Sequence, residues 1–260
     1  MIEPLSAALI ERLTILATAE SLLICSDFDG TLSPLVLRPC DAEFLPGIKS
    51  LLHELSALNS TNIAIISGRA RSDLVSLTGL DTPIALVGSH GAELPSETNL
   101  VITYQQTLLL KELQSSLIAM LSDLDGVSLE YKPYGVTVHV RQASRGLADH
   151  VTKNLLAGPC QRSDVYCQLG KEVIELSVVP LNKGSAIERL RLRSRDRTRI
   201  LYLGDDVTDE QAFNALFPLD MGVKVGAGST RAEFRVDSPV EIRSLLGLLI
   251  RLRSCYHNPP

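Results

Sequence analysis

The sequence predicts an α/β protein: a doubly wound, Rossmann-like parallel sheet core carrying an inserted α+β cap domain. Three observations point there. Short, almost wholly apolar runs alternate with helix-length amphipathic runs through most of the 260 residues, the rhythm of βαβ units. The apolar runs lack a polar face, as strands do when helices cover both sides of a sheet. Between about 99 and 180 the rhythm breaks, and segments alternate polar with apolar residues, the pattern of a one-sided sheet. The core is therefore assigned to 1–98 and 181–260, and the insertion to 99–180.

The opening stretch, "MIEPLSAALIERLTILATAE", reads as an amphipathic helix. Glu3 stands where an export signal would be basic, and Glu11 and Arg12 interrupt the apolar run. "SLLICS" (21–26) is a strand. In "LPGIKSLLHELSALN" (45–59), Ile48, Leu51, Leu52, Leu55 and Leu58 share one helical face. "NIAIIS" (62–67) is a strand, "ARSDLVSLTG" (70–79) a helix and "PIALVG" (83–88) a strand. The insertion opens with "VITYQQTLLLKELQSSLIAMLSDL" (101–124), expected to begin as a strand and continue as a helix. "VSLEYKPYGVTVHVR" (127–141) is a strand pair turning at "KPYG". Ser128, Glu130 and Lys132 share one face, as do Thr137, His139 and Arg141. A helix and the strand-like "KEVIELSVV" (171–179) complete it.

The core resumes with a helix, "NKGSAIERLRLR" (182–193), and a strand, "RILYLG" (199–204). A second helix, "DEQAFNALF" (209–217), and a strand, "MGVKVG" (221–226), follow. "SLLGLLIRL" (244–252) is too short to span a membrane and is expected to pack on the core. The arginines of "ERLRLRSRDRTR" (188–199) alternate rather than line one helix face. They read as a solvated helix end, where cations are favourable.

A formal net charge of -5 points away from nucleic acid and anionic membranes as partners, but not away from a small anion. Five cysteines, Cys25, Cys40, Cys160, Cys167 and Cys255, form no CxxC pair. The odd count and the lack of an export signal predict free thiols in the cytoplasm and no cysteine zinc site.

In a sheet of this class, ligands bind beyond the carboxyl ends of the strands. Those ends carry Asp27 and Asp29, Ser67-Gly68-Arg69, Gly88-Ser89-His90-Gly91 and Gly204-Asp205-Asp206. Two carboxylates one residue apart in "SDFDGT" repel each other unless solvated or bridged by a cation. A hard cation such as Mg²⁺, bound through Asp27 and a "GDD" carboxylate, would remove that repulsion. It would also neutralise a phosphoryl group approaching an aspartate nucleophile. Asp29 would then serve as general acid and base. Taken alone, the same Asp-x-Asp also suits a loop that caps a helix. "SGR" offers a hydroxyl and N–H groups to an anion, or an N-cap. Lys183 opens a helix, against the helix dipole, unless an anion such as phosphate or Asp27 accompanies it. Asp205, Asp206, Asp209 and Glu210 are four acids in six residues. Asp205 is the expected direct ligand, with Asp209 acting through water or from behind it.

Together "DFDGT", "SGR", Lys183 and "GDDVTDE" resemble the haloacid dehalogenase superfamily of aspartate-nucleophile phosphatases. "DFDGTLSPLVLRP", "GSHGAE", "EYKPYGVTVHVR", "GKEVIELSVVPLNKG" and "YLGDDVTDEQAF" resemble, more narrowly, its trehalose-6-phosphate phosphatase family. The resemblance implies Mg²⁺ dependence and hydrolysis of trehalose 6-phosphate through an aspartyl-phosphate. It implies Asp27 as nucleophile and metal ligand, and Asp29 as acid/base giving its backbone carbonyl to the metal. Thr31, Ser67, Gly68 and Lys183 would hold phosphate, and Asp205 would complete the metal site. Glu130, Lys132, His139, Arg141, Lys171 and Glu175 would contact the sugar. A small sugar phosphate is the expected partner, with no nucleic acid or membrane. A monomer and functional coupling to a trehalose-6-phosphate synthase are also expected. The alternatives are a phosphatase of sucrose phosphate or mannosyl-3-phosphoglycerate, a phosphomutase, and a non-catalytic sugar-phosphate sensor.

Overall fold

The computed structural model describes residues 5–80, 83–95, 102–170, 172–180 and 182–257. In chain order the first core elements are α1 (Ala7–Ala17), β1 (Leu22–Ser26), α2 (Ile48–Ala57), β2 (Thr61–Ile66), α3 (Arg71–Thr78) and β3 (Ala85–Val87). The insertion holds α4 (Tyr104–Leu121), β4 (Ser128–Lys132), β5 (Gly135–His139), α5 (Arg145–Ala157), β6 (Tyr166–Gly170) and β7 (Val173–Ser177). The core closes with α6 (Lys183–Arg193), β8 (Arg199–Gly204), α7 (Asp209–Asn214), β9 (Met221–Val225), β10 (Phe234–Val236) and α8 (Pro239–His257). The chain divides into two compact units, Met1–Ser96 with Asn182–Pro260, and Glu97–Leu181.

The core sheet is parallel throughout, in the order β10-β9-β8-β1-β2-β3. Burial on both faces follows from the alternation along each strand. Leu22 and Ile24 of β1, Ile63 and Ile65 of β2 and Leu201 and Leu203 of β8 join one apolar cluster, with side chains from α1, α2, α3 and α8. Leu23, Cys25, Ala64, Ile66, Ile200 and Tyr202 join the other, with α6 and α7. The chain runs outward from β1 to β3, then returns to lay β8 on the opposite side of β1. β1 is thus the strand where the winding reverses, and its carboxyl end opens the crevice used by ligands in such sheets.

The cap unit is an antiparallel sheet, β4-β5-β7-β6. Val136, Val138, Ile174 and Leu176 are buried on one face, and α4 packs against β4 and β5 with Leu109, Leu113 and Leu117 buried. The other face carries Glu130, Lys132, Thr137, His139 and Glu175, as strand alternation requires.

Several sequence expectations are corrected. Ile102 and Thr103 are not strand: Thr103 closes a capping box with Gln106 and starts α4, and Val101 lies outside the described residues. Strands β6 and β10 were not expected. Cys160 and Cys167 are not free thiols but a disulfide, with Cα atoms 5.5 Å apart. A 3-10 turn at Pro159–Gln161 folds the chain back onto β6. Cys25, Cys40 and Cys255 are free. The arginines of α6 are engaged rather than simply solvated. Arg189 donates to the Gly91 carbonyl and Arg191 to Asp220, whose carboxylate also accepts from the Ile200 and Phe217 N–H groups. Among the described residues no helix is long and apolar enough to cross a membrane.

Arg253 of α8 is fully buried. Its guanidinium donates to the carbonyls of Ala17, Ala19, Asn59 and Ser60 and to the Thr61 hydroxyl. It thereby stitches the ends of α1 and α8 to the start of β2. Arg253→Ala is expected to destabilise the core by roughly 3 kcal/mol or more, because it orphans buried carbonyls and leaves a cavity. A shift of the urea midpoint to lower concentration checks this. An unchanged midpoint contradicts it.

Candidate active site

The turn after β1 is set by backbone geometry. The Asp27 N–H continues the ladder to the Leu203 carbonyl at 2.9 Å, and the N–H groups of Leu32 and Ser33 fold back on the Phe28 carbonyl. Gly30 adopts φ +84°, and a Cβ there would lie 2.2 Å from the Asp205 carboxylate. Only glycine fits on both counts. The close approach of chains lets the ends of β1 and β8 bring Asp27 and Asp205 together.

Asp27, Asp205 and Asp209 are all buried, each with a carboxylate oxygen within 4.8 Å of one from the others. Lys183, first residue of α6, lies among them. Its Nζ is 2.9 Å from Asp27 Oδ1 and 2.8 Å from Asp209 Oδ1. Burial works against the lysine's charge, but Asp209 and Asp27 outweigh it and raise its pKa above the ordinary value. The helix-dipole conflict seen in the sequence is resolved by these two anions.

Asp209 is the hub. Its Oδ1 accepts from Lys183 and from the Tyr202 hydroxyl at 2.7 Å, and its Oδ2 accepts from the N–H groups of Asp205 at 2.9 Å and Asp206 at 2.8 Å. Despite burial, these donors hold its pKa below the usual carboxylate value. Two acceptances on each oxygen leave little capacity for a cation. Asp27 differs. Burial raises its pKa well above normal; Lys183 opposes this, and Asp209, Asp205 and Asp29 add to it. Lys183 and, at the Asp205 carbonyl, Lys224 are fewer than the three buried carboxylates. The demand for further positive charge, met by hard oxygen donors, suits Mg²⁺ held by Asp27 and Asp205.

The other predicted residues fall into three groups. Thr31 is buried, with its hydroxyl 3.5 Å from Asp205 Oδ1. Ser67 ends β2, and its hydroxyl accepts from the Arg69 N–H; it is not the cap of α3, which is Ala70. Gly68 lies between Ser67 and Arg69. Asp29 stands apart from the carboxylate cluster: Arg69 Nε and Nη2 grip its two oxygens at 2.6 and 2.7 Å. In the cap, Glu130 pairs with His139 at 2.8 Å and Lys132 with Glu175 at 2.7 Å. Burial notwithstanding, the His139 hydrogen bond and the nearby Lys132 keep the Glu130 pKa low. Arg141 sits in the turn beyond β5 and pairs with Glu172. Lys171 lies outside the described residues.

Sequence reasoning missed three supports. Arg69, visible in "SGR", was not linked to Asp29, 40 residues away. Lys224, buried in an apolar strand, donates to the Asp205 carbonyl at 2.5 Å and to that of Asp206 at 3.3 Å. Its charge inside "MGVKVG" was the available signal. The loop after β3 braces the loop after β2: Ser89 N–H donates to the Arg69 carbonyl and His90 N–H to that of Ser67. Ser89 and His90 both hold positive φ there, and the Ser89 hydroxyl donates to the buried Glu93.

The sequence model of the family described as Trehalose-phosphatase matches residues 25–239. A trehalose-phosphate phosphatase of Mycobacterium bovis is 34% identical over 242 residues, covering 86% of this chain and 60% of the relative. The chain thus spans about three fifths of that relative's length. The solved C-terminal domain of C. albicans trehalose-6-phosphate phosphatase superposes with a TM-score of 0.82 at 24% identity, covering 96% of this chain and 99% of that one. A protein described as related to trehalose-6-phosphate phosphatase superposes with a TM-score of 0.71 at 28% identity, covering 88% and 97%.

Asp209 and Asp205 are expected to respond differently to substitution. Asp209→Asn turns one of the two acceptor oxygens into a donor, facing either Lys183 and Tyr202 or the two backbone N–H groups, and is expected to cost about 3–5 kcal/mol of stability. Asp205→Asn removes one of several like charges and is expected to cost far less, while abolishing Mg²⁺ binding. Thermal melts and titration calorimetry with Mg²⁺ on both variants test this. Equal destabilisation by the two contradicts it.

Proposed function

Because this chain belongs to the trehalose-phosphatase family, we propose that it hydrolyses trehalose 6-phosphate to trehalose and phosphate. The observation that supports this best is the buried Asp27–Lys183–Asp209 arrangement, with Asp205 alongside. It provides a carboxylate nucleophile oriented by a lysine, beside a site for a cation.

Lys183 engages Asp27 Oδ1 and so fixes the orientation of the carboxylate that attacks phosphorus. The P–O bond to the sugar breaks as the Asp27 O–P bond forms, and Lys183 balances charge on the transferring phosphoryl group. The hydroxyls of Thr31 and Ser67 and the N–H of Gly68 supply hydrogen bonds to the phosphoryl oxygens. Mg²⁺, held by Asp27, Asp205 and the Asp29 carbonyl, would neutralise the anions that meet there. Asp29 gives a proton to the departing sugar oxygen. It then takes one from the water that cleaves the aspartyl-phosphate, which restores Asp27. In the resting state Arg69 holds both Asp29 oxygens, so proton donation requires that grip to loosen. In the cap, the pairs Glu130–His139 and Lys132–Glu175 would exchange partners with sugar hydroxyls.

Phosphate release is expected to be about 100-fold more efficient on trehalose 6-phosphate than on sucrose 6-phosphate or mannosyl-3-phosphoglycerate. That margin matches the loss of two or so sugar hydrogen bonds. EDTA is expected to stop the reaction and Mg²⁺ to restore it. Asp27→Asn is expected to lower kcat by roughly 10³ or more. Near-normal turnover by that variant, or indifference to EDTA, defeats the mechanism. A flat substrate panel defeats the substrate assignment alone.

A further inference from the structure

The register of the cap sheet aligns one residue from each strand in a single row: Glu130 opposite Thr137, Thr137 opposite Glu175, and Glu175 opposite Gln168. All four are polar and lie on the face away from Val136, Val138, Ile174 and Leu176. Three of them have hydrogen-bond partners within the sheet. Glu130 takes His139, and Glu175 takes Lys132, with the Thr137 hydroxyl 3.5 Å from the same carboxylate oxygen. The fourth does not share in this. Gln168 Nε2 is shielded from solvent and has no acceptor among the described residues. A buried amide donor without an acceptor costs about 1–3 kcal/mol, which a leucine at this position would avoid.

We propose that Gln168, a half-buried residue, is a specificity-determining residue of the cap, its side-chain amide turning out of its shielded position to donate a hydrogen bond to a hydroxyl or ether oxygen of the substrate's sugar. The proposal rests on the reading that the protein acts on a glycosyl phosphate. The chemistry of the row fits such a ligand. Sugar hydroxyls both donate and accept; Glu130 and Glu175 supply acceptors, Lys132 a charged donor, and Gln168 a neutral donor at the far end of the row. Its position is also fixed. Gln168 follows Cys167, and the disulfide to Cys160 ties this outer strand to the turn before it.

Steady-state kinetics on trehalose 6-phosphate and on p-nitrophenyl phosphate, which has no sugar, test the role. Gln168→Leu is expected to raise KM for trehalose 6-phosphate about tenfold, the worth of one hydrogen bond. Its kcat is expected to stay within about twofold, the signature of lost ground-state binding. Its efficiency on p-nitrophenyl phosphate is expected to be unchanged, which also shows that the variant folds. Gln168→Glu keeps the shape but replaces the donor with an acceptor, and is expected to lose at least as much on the sugar substrate alone. Equal losses on both substrates, or an unchanged KM for trehalose 6-phosphate, overturn the proposal. If the unmodified enzyme prefers another glycosyl phosphate, the same comparison runs on that substrate. The identity of the sugar then fails while the role of Gln168 is still decided. Turnover of p-nitrophenyl phosphate but of no glycosyl phosphate overturns both.

Discussion

A single ammonium group organises the core's chemistry. Lys183 lies fully buried between Asp27 and Asp209, and neither carboxylate could be desolvated so far without it. Asp205 shares the same buried space, so three carboxylates face Lys183 and, on the carbonyl side of Asp205, Lys224. The fold therefore contains a built-in electrostatic deficit at the end of β1. In the proposed reaction a divalent cation and a phosphoryl group would bring charges of opposite sign into this space, and each would make the other's entry easier.

Around this pair the structure surrounds Asp27 with groups that hold their neighbours in place. Asp209 holds: all its donors come from the protein, and it sets the positions of Lys183, of Tyr202 and of the peptide that bears Asp205. Lys224 holds the same peptide from its carbonyl side. Gly30 contributes by absence, since any side chain there would occupy the space of the Asp205 carboxylate. Asp27 is buried with Lys183 at its Oδ1, and burial raises its pKa against the pull of that lysine.

The fold and the residues gathered at the strand ends were legible because both rest on local patterns. Strands buried on two faces must be apolar, and polar residues at their carboxyl ends stand out against that background. Asp27, Asp29, Lys183 and Asp205 were therefore visible. What stayed hidden depends on distance in the chain. The sequence set Asp209 behind Asp205 or beyond a water, but the four donors that surround it are brought there by the fold. The pairing of Arg69 with Asp29 spans two strand ends. Strand β10 has three residues and β6 mixes small, polar and aromatic ones, too short or too irregular for a periodic signal. The Cys160–Cys167 bond escaped because residue spacing does not report a turn that folds back.

The two aspartates after β1 are anchored from opposite directions. Asp27 leans on Lys183 and the β8 side of the sheet, while Asp29 is gripped by Arg69 from the β2 side. The five-residue strand that carries them is paired in full along both edges. Under the proposed roles, nucleophile and proton carrier would be tuned through separate flanks of one ribbon. Repacking on the β2 flank would then change how readily the proton moves without disturbing the attacking oxygen, and repacking on the β8 flank would do the reverse.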